Sequence, residues 1–210
     1  MRVRKLIKIF SVCLFVILII LFLHKKERII INETDINKFE HLDIIVTSGQ
    51  SFQSKVLNLI NFSFESYTHV GIICKENNNV FVLHSTTDGT KDNGIRYDNL
   101  QSFIELSNVN YYKILRSENI AKSVSSINKS IDKYKTLKIA FDYDFDNLNK
   151  EQVYCSELVY DIYKSNGIIT SKLDLKKPIH PKIFTKLKEL TTIKERKSTD
   201  NNAYEKSLAK

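Results

Sequence analysis

Apolar residues dominate the start of the chain, where positions 6–23 contain only two polar residues, Lys8 and Ser11. At a helical rise of 1.5 Å per residue this run would extend about 27 Å, close to the lower limit for a helix that spans a bilayer. The residues at 21–26 offer no small side chains at which a signal peptidase would cleave. The pattern therefore predicts an uncleaved signal anchor over residues 1–24, with the membrane contact made by 6–23.

The charges that flank this segment predict its orientation. The positive residues before it are Arg2, Arg4, Lys5 and Lys8, and those shortly after it are Lys25, Lys26 and Arg28. Because positive flanks tend to stay in the cytoplasm, this small excess favours a single-pass protein with most of the chain on the outer, periplasmic or extracellular, side. A cleaved signal peptide and a domain that faces the cytoplasm stay open as alternatives.

Beyond the anchor, the polar stretch 25–41 predicts a linker, and short apolar runs then predict strands. The runs lie at 42–47, 69–74, 80–85 and 109–115. The polar segment Lys75–Asn79 separates the second run from the third and predicts a hairpin loop.

Apolar residues at helical spacing predict three helices among these strands. The helices cover 51–62, 118–134 and 155–166, and Gly167 is suited to end the last one. From residue 191 the chain is polar, which predicts a fraying tail over 191–210. Helices mixed with antiparallel strands over 42–190 indicate one α+β domain, a small antiparallel sheet packed against helices.

Composition and charge narrow the function. Hydrophobic residues make up 42% of the chain, enough to fill one core, and the net charge of +8 comes from scattered basic residues. Since no zinc-ligand spacing and no nucleic-acid module accompany them, no nucleic-acid partner is predicted. The three cysteines, Cys13, Cys74 and Cys155, form no C-x-x-C pair and no disulfide framework. Cys155, beside charged residues, is the one that needs a chemical explanation.

Cys155 stands where the last predicted helix begins. A thiol at a helix N-terminus lies at the positive end of the helix dipole, which favours the thiolate, and the free amides of the first turn could stabilise an oxyanion. These are the requirements of a nucleophilic cysteine. The alternative is a small buried cysteine that packs behind the start of the helix.

Two histidines could supply the base. His69 opens an apolar strand, and Gly71, two residues further along the same face, leaves room beside it. His84 lies in the next apolar strand, where an imidazole must find a partner or stay neutral. If paired residue numbers in the hairpin sum to 153, His84 lies opposite His69 and could fix its tautomer, as the third member of a triad does.

The remaining histidines have no such context. His24 borders the apolar segment, and His41 and His180 lie in polar stretches. None belongs to a cluster with metal-ligand spacing, so neither a metal nor a cofactor is predicted.

Five segments of the chain, taken in order, resemble one family of enzymes. The segments are Asp43–Ser51, Tyr67–Ile72, Val82–His84, Phe141–Phe145 and Tyr154–Val159, followed by Lys177–Pro181. They resemble the YiiX group of NlpC-type cysteine hydrolases, a circularly permuted branch of the papain-like fold in which the histidine precedes the cysteine. The resemblance covers residues 43 to about 185.

The resemblance implies a role for each candidate residue. Cys155 would be the nucleophile, His69 the base and His84 the third residue, at a position where relatives often carry a carboxylate. Four further residues inside these segments would line the oxyanion and substrate cleft; they are Tyr154, Ser156, Tyr67 and Ser48.

Family activities include hydrolysis of amide bonds in cell-wall peptides, and related permuted enzymes of the lecithin:retinol acyltransferase kind transfer lipid acyl groups. The resemblance therefore implies an amide or acyl bond as substrate, in a peptide or a lipid, cleaved through an acyl-thioester on Cys155. Two alternatives from other classes stay open. One is a catalytically silent module that binds a peptide or lipid in the cleft, and the other is an envelope interaction protein that works through its anchor and basic surface.

Overall fold

The computed structural model describes residues 29–49, 67–87, 93–147 and 151–198, and an antiparallel sheet runs through all four ranges. The strands are β1 Ile44–Gly49, β2 His69–Glu76, β3 Asn79–Thr86, β4 Gly94–Asn99, β5 Val109–Arg116 and β6 Thr191–Lys197. Their order in the sheet is β4-β3-β2-β1-β5-β6, and every neighbouring pair is antiparallel. The four apolar runs predicted as strands correspond to β1, β2, β3 and β5.

Helices cover both faces of this sheet. They are α1 Glu33–Ile36, α2 Leu100–Leu106, α3 Val124–Thr136 and α4 Cys155–Ser165, with 3₁₀ turns at Ile120–Ser123 and Pro181–Lys186. The helix predicted over 155–166 is α4, and Gly167 follows it with a positive φ of 73°. The helix predicted over 118–134 is divided into the first 3₁₀ turn and α3, while the one predicted over 51–62 lies outside the described residues.

The first face of the sheet packs against α3 and α4. Side chains alternate along β2, so Val70, Ile72 and Cys74 point to this face and meet apolar residues of α4 such as Leu158 and Ile162. Cys155 belongs to the same buried cluster. The amphipathic pattern of the last helix, visible in the sequence, is therefore the pattern that places Cys155 against the sheet.

The second face packs against α2 and the N-terminal segment. Ile45, Ile73 and Phe103 form part of a second buried cluster, which also contains Ile29 and Phe39. The linker predicted over 25–41 is therefore wrong for its described part, because residues 29–41 are folded against the sheet. Polar residues dominate this segment, but its apolar residues Ile29 and Phe39 are almost completely buried.

The hairpin between β2 and β3 differs from the predicted one. Glu76 pairs with Asn79 across a two-residue turn, and Ile73 pairs with Val82, so paired numbers sum to 155 rather than 153. Asn77 and Asn78 both have positive φ, 45° and 69°, the backbone conformation of a type I′ hairpin turn, in which asparagine is favoured. Lys75 and Glu76 extend the ladder instead of forming a loop.

The shift of two residues has a defined consequence for the histidines. A two-residue shift preserves the side-chain face, so His69 and His84 still lie on the same side of the hairpin. They are diagonal neighbours, however, and continuing the register one residue beyond the Ile72–Leu83 pair places Gly71 opposite His84. A Cβ added at Gly71 would lie 3.3 Å from the Cβ of His84 and 2.4 Å from Cγ1 of Val82.

The C-terminal tail predicted over 191–210 is wrong at its start, because Thr191–Lys197 forms the edge strand β6. Its charged side chains have partners inside the domain. Arg196 binds the buried carboxylate of Asp35, Lys194 lies 3.2 Å from the same carboxylate, and Glu195 pairs with Lys113. An edge strand needs only one hydrogen-bonded neighbour, so a polar sequence can occupy it.

Strand β4 and helix α2 have no counterpart among the predicted elements, because their sequence has neither a clear alternation nor a long helical repeat. None of the helices in the four described ranges is long and apolar enough to cross a membrane. The predicted anchor over residues 1–24 lies outside those ranges.

Candidate active site

Cys155 is the first residue of α4, and its thiol is buried against the first face of the sheet. Tyr154 precedes it in an extended conformation and makes no side-chain cap to the helix. The sulfur lies 3.8 Å from Oγ of Ser156, and only 3% of Cys155 is exposed. The predicted position at a helix N-terminus is therefore the position that Cys155 occupies.

The electrostatics of this thiol differ from the expectation. Burial raises the pKa of Cys155 to about 11, and it outweighs the opposing effects of the Ser156 hydroxyl and of the backbone of Val70 and the helix start. The helix N-terminus favours the thiolate, but the effect of burial is larger, so the neutral thiol is the stable form at neutral pH.

On the second face of the sheet, three side chains form a continuous polar chain. Nε2 of His69 lies 2.8 Å from Nδ1 of His84, and Nε2 of His84 lies 3.1 Å from a carboxylate oxygen of Asp98 on β4. Arg96 binds the same carboxylate, with Nε 2.9 Å from its Oδ2. The structure thus brings the two predicted histidines, hereafter the histidine pair, into direct contact.

The histidine pair is completely enclosed. Phe103 of α2 stacks on the ring of His69, with centroids 5.5 Å apart, and meets the ring of His84 edge-on at 4.9 Å. Burial lowers the pKa of His69 well below its ordinary value, and the neighbouring His84 adds to the effect. Burial also lowers the pKa of His84, against the opposing influence of Asp98. Both imidazoles are therefore neutral at neutral pH.

Within the described part of the chain, one nitrogen of the pair has no hydrogen-bond partner. Nδ1 of His69 is buried and unpaired among the described residues, as is Oγ1 of Thr47, its cross-strand neighbour on β1. A buried polar atom without a partner costs roughly 1–3 kcal/mol. Such a cost is often retained where the atom is needed for binding or chemistry.

The structure does not bring the thiol and the histidine pair together. Val70 and Cys155 share the first buried cluster, whereas His69, one residue before Val70, stacks on Phe103 at the second face. No hydrogen bond joins Cys155 to His69 or His84 in the described part of the chain. The backbone of Val70, which contacts the sulfur, is the link between them.

The other predicted cleft residues lie around the thiol. Tyr154 is buried; its hydroxyl donates to Asn147 and accepts from the amide of Ile179 at 2.7 Å. It therefore ties the start of α4 to two loops. Ser156 is buried beside the thiol.

Tyr67 and Ser48 lie at the same end of the sheet. The hydroxyl of Tyr67 is 3.2 Å from that of Tyr111 on β5, and Ser48 pairs with Tyr111 across β1 and β5. Tyr67 packs against the cluster that contains Cys155. These two residues therefore lie on the side of the thiol rather than on that of the histidine pair.

Sequence reasoning missed Asp98 and Phe103, which both contact the histidine pair. Asp98 carries a weak signal, an acidic residue two positions after Arg96 in a polar stretch. Phe103 carries no functional signal because a phenylalanine in a short helix is ordinary core.

Comparison with known proteins identifies the relatives of this arrangement. The chain is similar to the structure described as metalloprotein yiiX from Escherichia coli O157:H7, at 20% sequence identity and a TM-score of 0.59, over 76% of this chain and 98% of that one. Within the four described ranges, no three His, Cys, Asp or Glu side chains are grouped so that they could hold a metal ion. The histidine pair and Asp98 are instead joined by consecutive hydrogen bonds.

Curated proteins offer no significant match. A family model described as permuted papain-like amidase enzyme, YaeF/YiiX, C92 family, matches residues 38–206, which is most of the chain. The sheet with a cysteine helix on one face agrees with that assignment. The chain therefore belongs to the permuted papain-like amidases of the YaeF/YiiX family.

Proposed function

We propose that this chain is a cysteine amidase in which Cys155 is the nucleophile and His69 the base. The observation that carries the proposal is the polar chain that ends at Nδ1 of His69, an atom without a partner among the described residues. His69 is one residue from Val70, whose backbone contacts the Cys155 sulfur. Neutral imidazole with a free lone pair is the state that can accept the proton of a neutral thiol.

The reaction follows the general course of thiol acyl transfer. His69 takes the thiol proton, and the sulfur attacks the substrate carbonyl to form a tetrahedral oxyanion, which amides in the first turn of α4 can stabilise. His69 then gives its proton to the leaving amine, and the carbon–nitrogen bond breaks. Water adds to the thioester with His69 again as base, and the acid product leaves while Cys155 regains its proton.

Proton transfer from Cys155 to His69 requires a movement in this scheme. Nδ1 of His69 and the Cys155 thiol must approach each other, while Nε2 of His69 keeps its contact with Nδ1 of His84. His69 is the first residue of β2 and pairs with Thr47 of β1, so this approach takes place at the end of the strand. Catalytic hydrogen bonds are often long or misaligned before substrate binds.

A second candidate is a catalytically silent module that binds a peptide or lipid with the same fold. It is favoured by the position of the thiol and the histidine pair on opposite faces, and by the raised pKa of Cys155. The two candidate functions differ in how the substrate changes the reactivity of the Cys155 thiol.

Alkylation kinetics distinguish them. The rate of iodoacetamide labelling of Cys155 is measured against pH in a background that carries Cys13→Ala and Cys74→Ala, so that Cys155 is the remaining thiol. Cys74 is removed because burial raises its pKa to about 12, and its labelling would overlap that of Cys155 at alkaline pH. With cell-wall peptide fragments present, an amidase should gain a labelling phase at neutral pH that His69→Ala abolishes. A single inflection near 11 under every condition would favour the silent module.

The bond that is cleaved is an amide or acyl bond, in a cell-wall peptide or in an N-acyl or lipid substrate. Incubation of the protein and its Cys155→Ala variant with cell-wall fragments and with total lipid, followed by mass spectrometry of both, identifies the substrate. Loss of a product in the variant assigns the bond. Transfer of the acyl group to an acceptor other than water would make the enzyme an acyltransferase.

We also propose that residues 6–23 hold the protein in a membrane with the domain outside, on the strength of their apolar sequence and flanking charges. Protease added to intact spheroplasts should then digest the domain. Protection until lysis would place the domain inside and remove cell-wall peptides from the list of substrates.

A further inference from the structure

The hydrogen positions in the polar chain follow from its chemistry. The carboxyl of Asp98 loses stability as an anion through burial, but the hydrogen bonds from His84 and Arg96 outweigh that loss, so its pKa lies below the ordinary value. An ionised carboxylate can only accept hydrogen bonds. Nε2 of His84, 3.1 Å away, must therefore carry the proton and donate.

The tautomer of His84 determines the tautomer of His69. A neutral imidazole has a single N–H, so when Nε2 of His84 is protonated its Nδ1 is a bare acceptor. Nε2 of His69 lies 2.8 Å from that acceptor and must donate to it. Neutral His69 is then left with an unprotonated Nδ1, the same atom that is buried without a partner among the described residues.

We propose that Asp98 is a positioning residue that sets the tautomers of both histidines and thereby makes Nδ1 of His69 the atom that accepts the thiol proton. The proposal rests on the proposed role of His69 as base. Asp98 does not reach the thiol; it acts through His84, which donates to its carboxylate. Described groups that also lie at the pair include Arg96, which binds the same carboxylate, the apolar ring of Phe103, and Thr47, the cross-strand neighbour of His69.

Without the carboxylate the opposite arrangement becomes available. His84 could carry its proton on Nδ1 and donate it to Nε2 of His69, which would leave His69 protonated at Nδ1. That nitrogen would then be a donor and could not accept a proton from the thiol. The Asp98→Asn variant favours this arrangement, because its amide group can donate to Nε2 of His84.

Nitrogen NMR of the full-length chain labelled with ¹⁵N-histidine tests the assignment directly. The signals are assigned by their loss in His69→Gln and His84→Gln variants. In the wild type at neutral pH, both Nδ1 atoms should show the shift of an unprotonated ring nitrogen and both Nε2 atoms that of a protonated one. A protonated Nδ1 on His69 in the wild type would overturn the inference without any variant.

The variants supply the second readout. Asp98→Asn should protonate Nδ1 of His69, and kcat on the identified substrate should fall by roughly 10²–10⁴-fold with little change in KM, as for other enzymes whose base is held in the wrong tautomer. Asp132→Asn, on the exposed side of α3, is the matched control and should change neither.

Failure of this inference is distinguishable from failure of the proposed function. If wild-type protein shows the expected tautomers but Cys155→Ala abolishes no activity, the positioning role of Asp98 in the histidine pair stands and the amidase proposal falls. If Cys155 is required but Asp98→Asn keeps the wild-type kcat and tautomers, the inference falls and the amidase stands.

Discussion

Gly71 lies where strands β2 and β3 leave no room for a side chain, and replacing it with alanine should disturb the protein measurably. An added Cβ would lie 2.4 Å from Cγ1 of Val82, 3.1 Å from the carbonyl oxygen of Leu83 and 3.3 Å from Cβ of His84. Val82 and His84 are fully buried, so neither side chain can move into solvent. The overpacking should cost about 1–3 kcal/mol in free energy of unfolding.

That loss corresponds to a decrease in Tm of roughly 2–12 °C, since 1 kcal/mol lowers Tm by about 2–4 °C in a chain of this size. Urea denaturation followed by circular dichroism measures the free energy, and thermal melts measure Tm. The Val82→Ala variant alone should lose about 2 kcal/mol through its missing methyl groups and the cavity they leave.

The double variant Gly71→Ala with Val82→Ala tests the cause. The new methyl group would occupy the space that Cγ1 has left, so the combined loss should be smaller than the sum by at least about 0.5 kcal/mol. Gly167→Ala is the control, because Gly167 has a positive φ and no atom lies within 4 Å of the position that an added Cβ would take, so its penalty should simply add to that of Val82→Ala. Additive penalties for Gly71 and Val82, or a Gly71→Ala penalty below about 0.5 kcal/mol, would refute the register.

Three other perturbations have defined outcomes. Burial lowers the pKa of both histidines of the pair, so the folded protein favours neutral imidazoles. The stability that depends on them is complete above about pH 6.5 and is lost as pH falls from there toward the pKa values of the two histidines in the folded protein. An unchanged urea midpoint between about pH 7 and pH 5 would contradict this. Arg116→Met should cost about 3–5 kcal/mol in urea denaturation, because the buried Asp43 carboxylate loses the two hydrogen bonds from Arg116, at 2.7 and 2.8 Å, and keeps only the one from the backbone amide of Glu40 among the described residues. Adding Asp43→Asn should recover part of the loss. Truncation after Leu190 removes β6 and the partners of Asp35 and should lower Tm, whereas truncation after Ser198 keeps both; equal melting temperatures would mean that β6 contributes no stability.

Much of the architecture is encoded in local patterns. Apolar runs of about four to eight residues predict β1, β2, β3 and β5, because strands with buried faces need such runs wherever they occur. The helical repeat after Cys155 and the glycine that ends it predict α4, because both are properties of the segment alone. The order of these segments also carries the resemblance to permuted cysteine hydrolases, and the family match confirms that resemblance.

Local patterns fail where stability comes from distant partners. Strand β6 is polar along its length, and its place in the sheet depends on β5 and on the pairing of Arg196 with Asp35, which are far away in sequence. The hairpin register was decided by two asparagines that adopt positive φ, and a count of loop residues could not distinguish a two-residue turn from a five-residue loop.

For the candidate site, the identity of the reactive residues and their surroundings have different origins. The sequence by itself determined which residues could do chemistry, Cys155 at a helix start and the two histidines in apolar strands, because reactivity requires particular residue types. Only the tertiary structure decided their surroundings. Asp98 reaches His84 because β4 pairs with β3, and burial by packed neighbours raises the pKa of Cys155. Desolvation and hydrogen bonding are set by what packs around a side chain, and that is a property of the assembled fold rather than of any single segment.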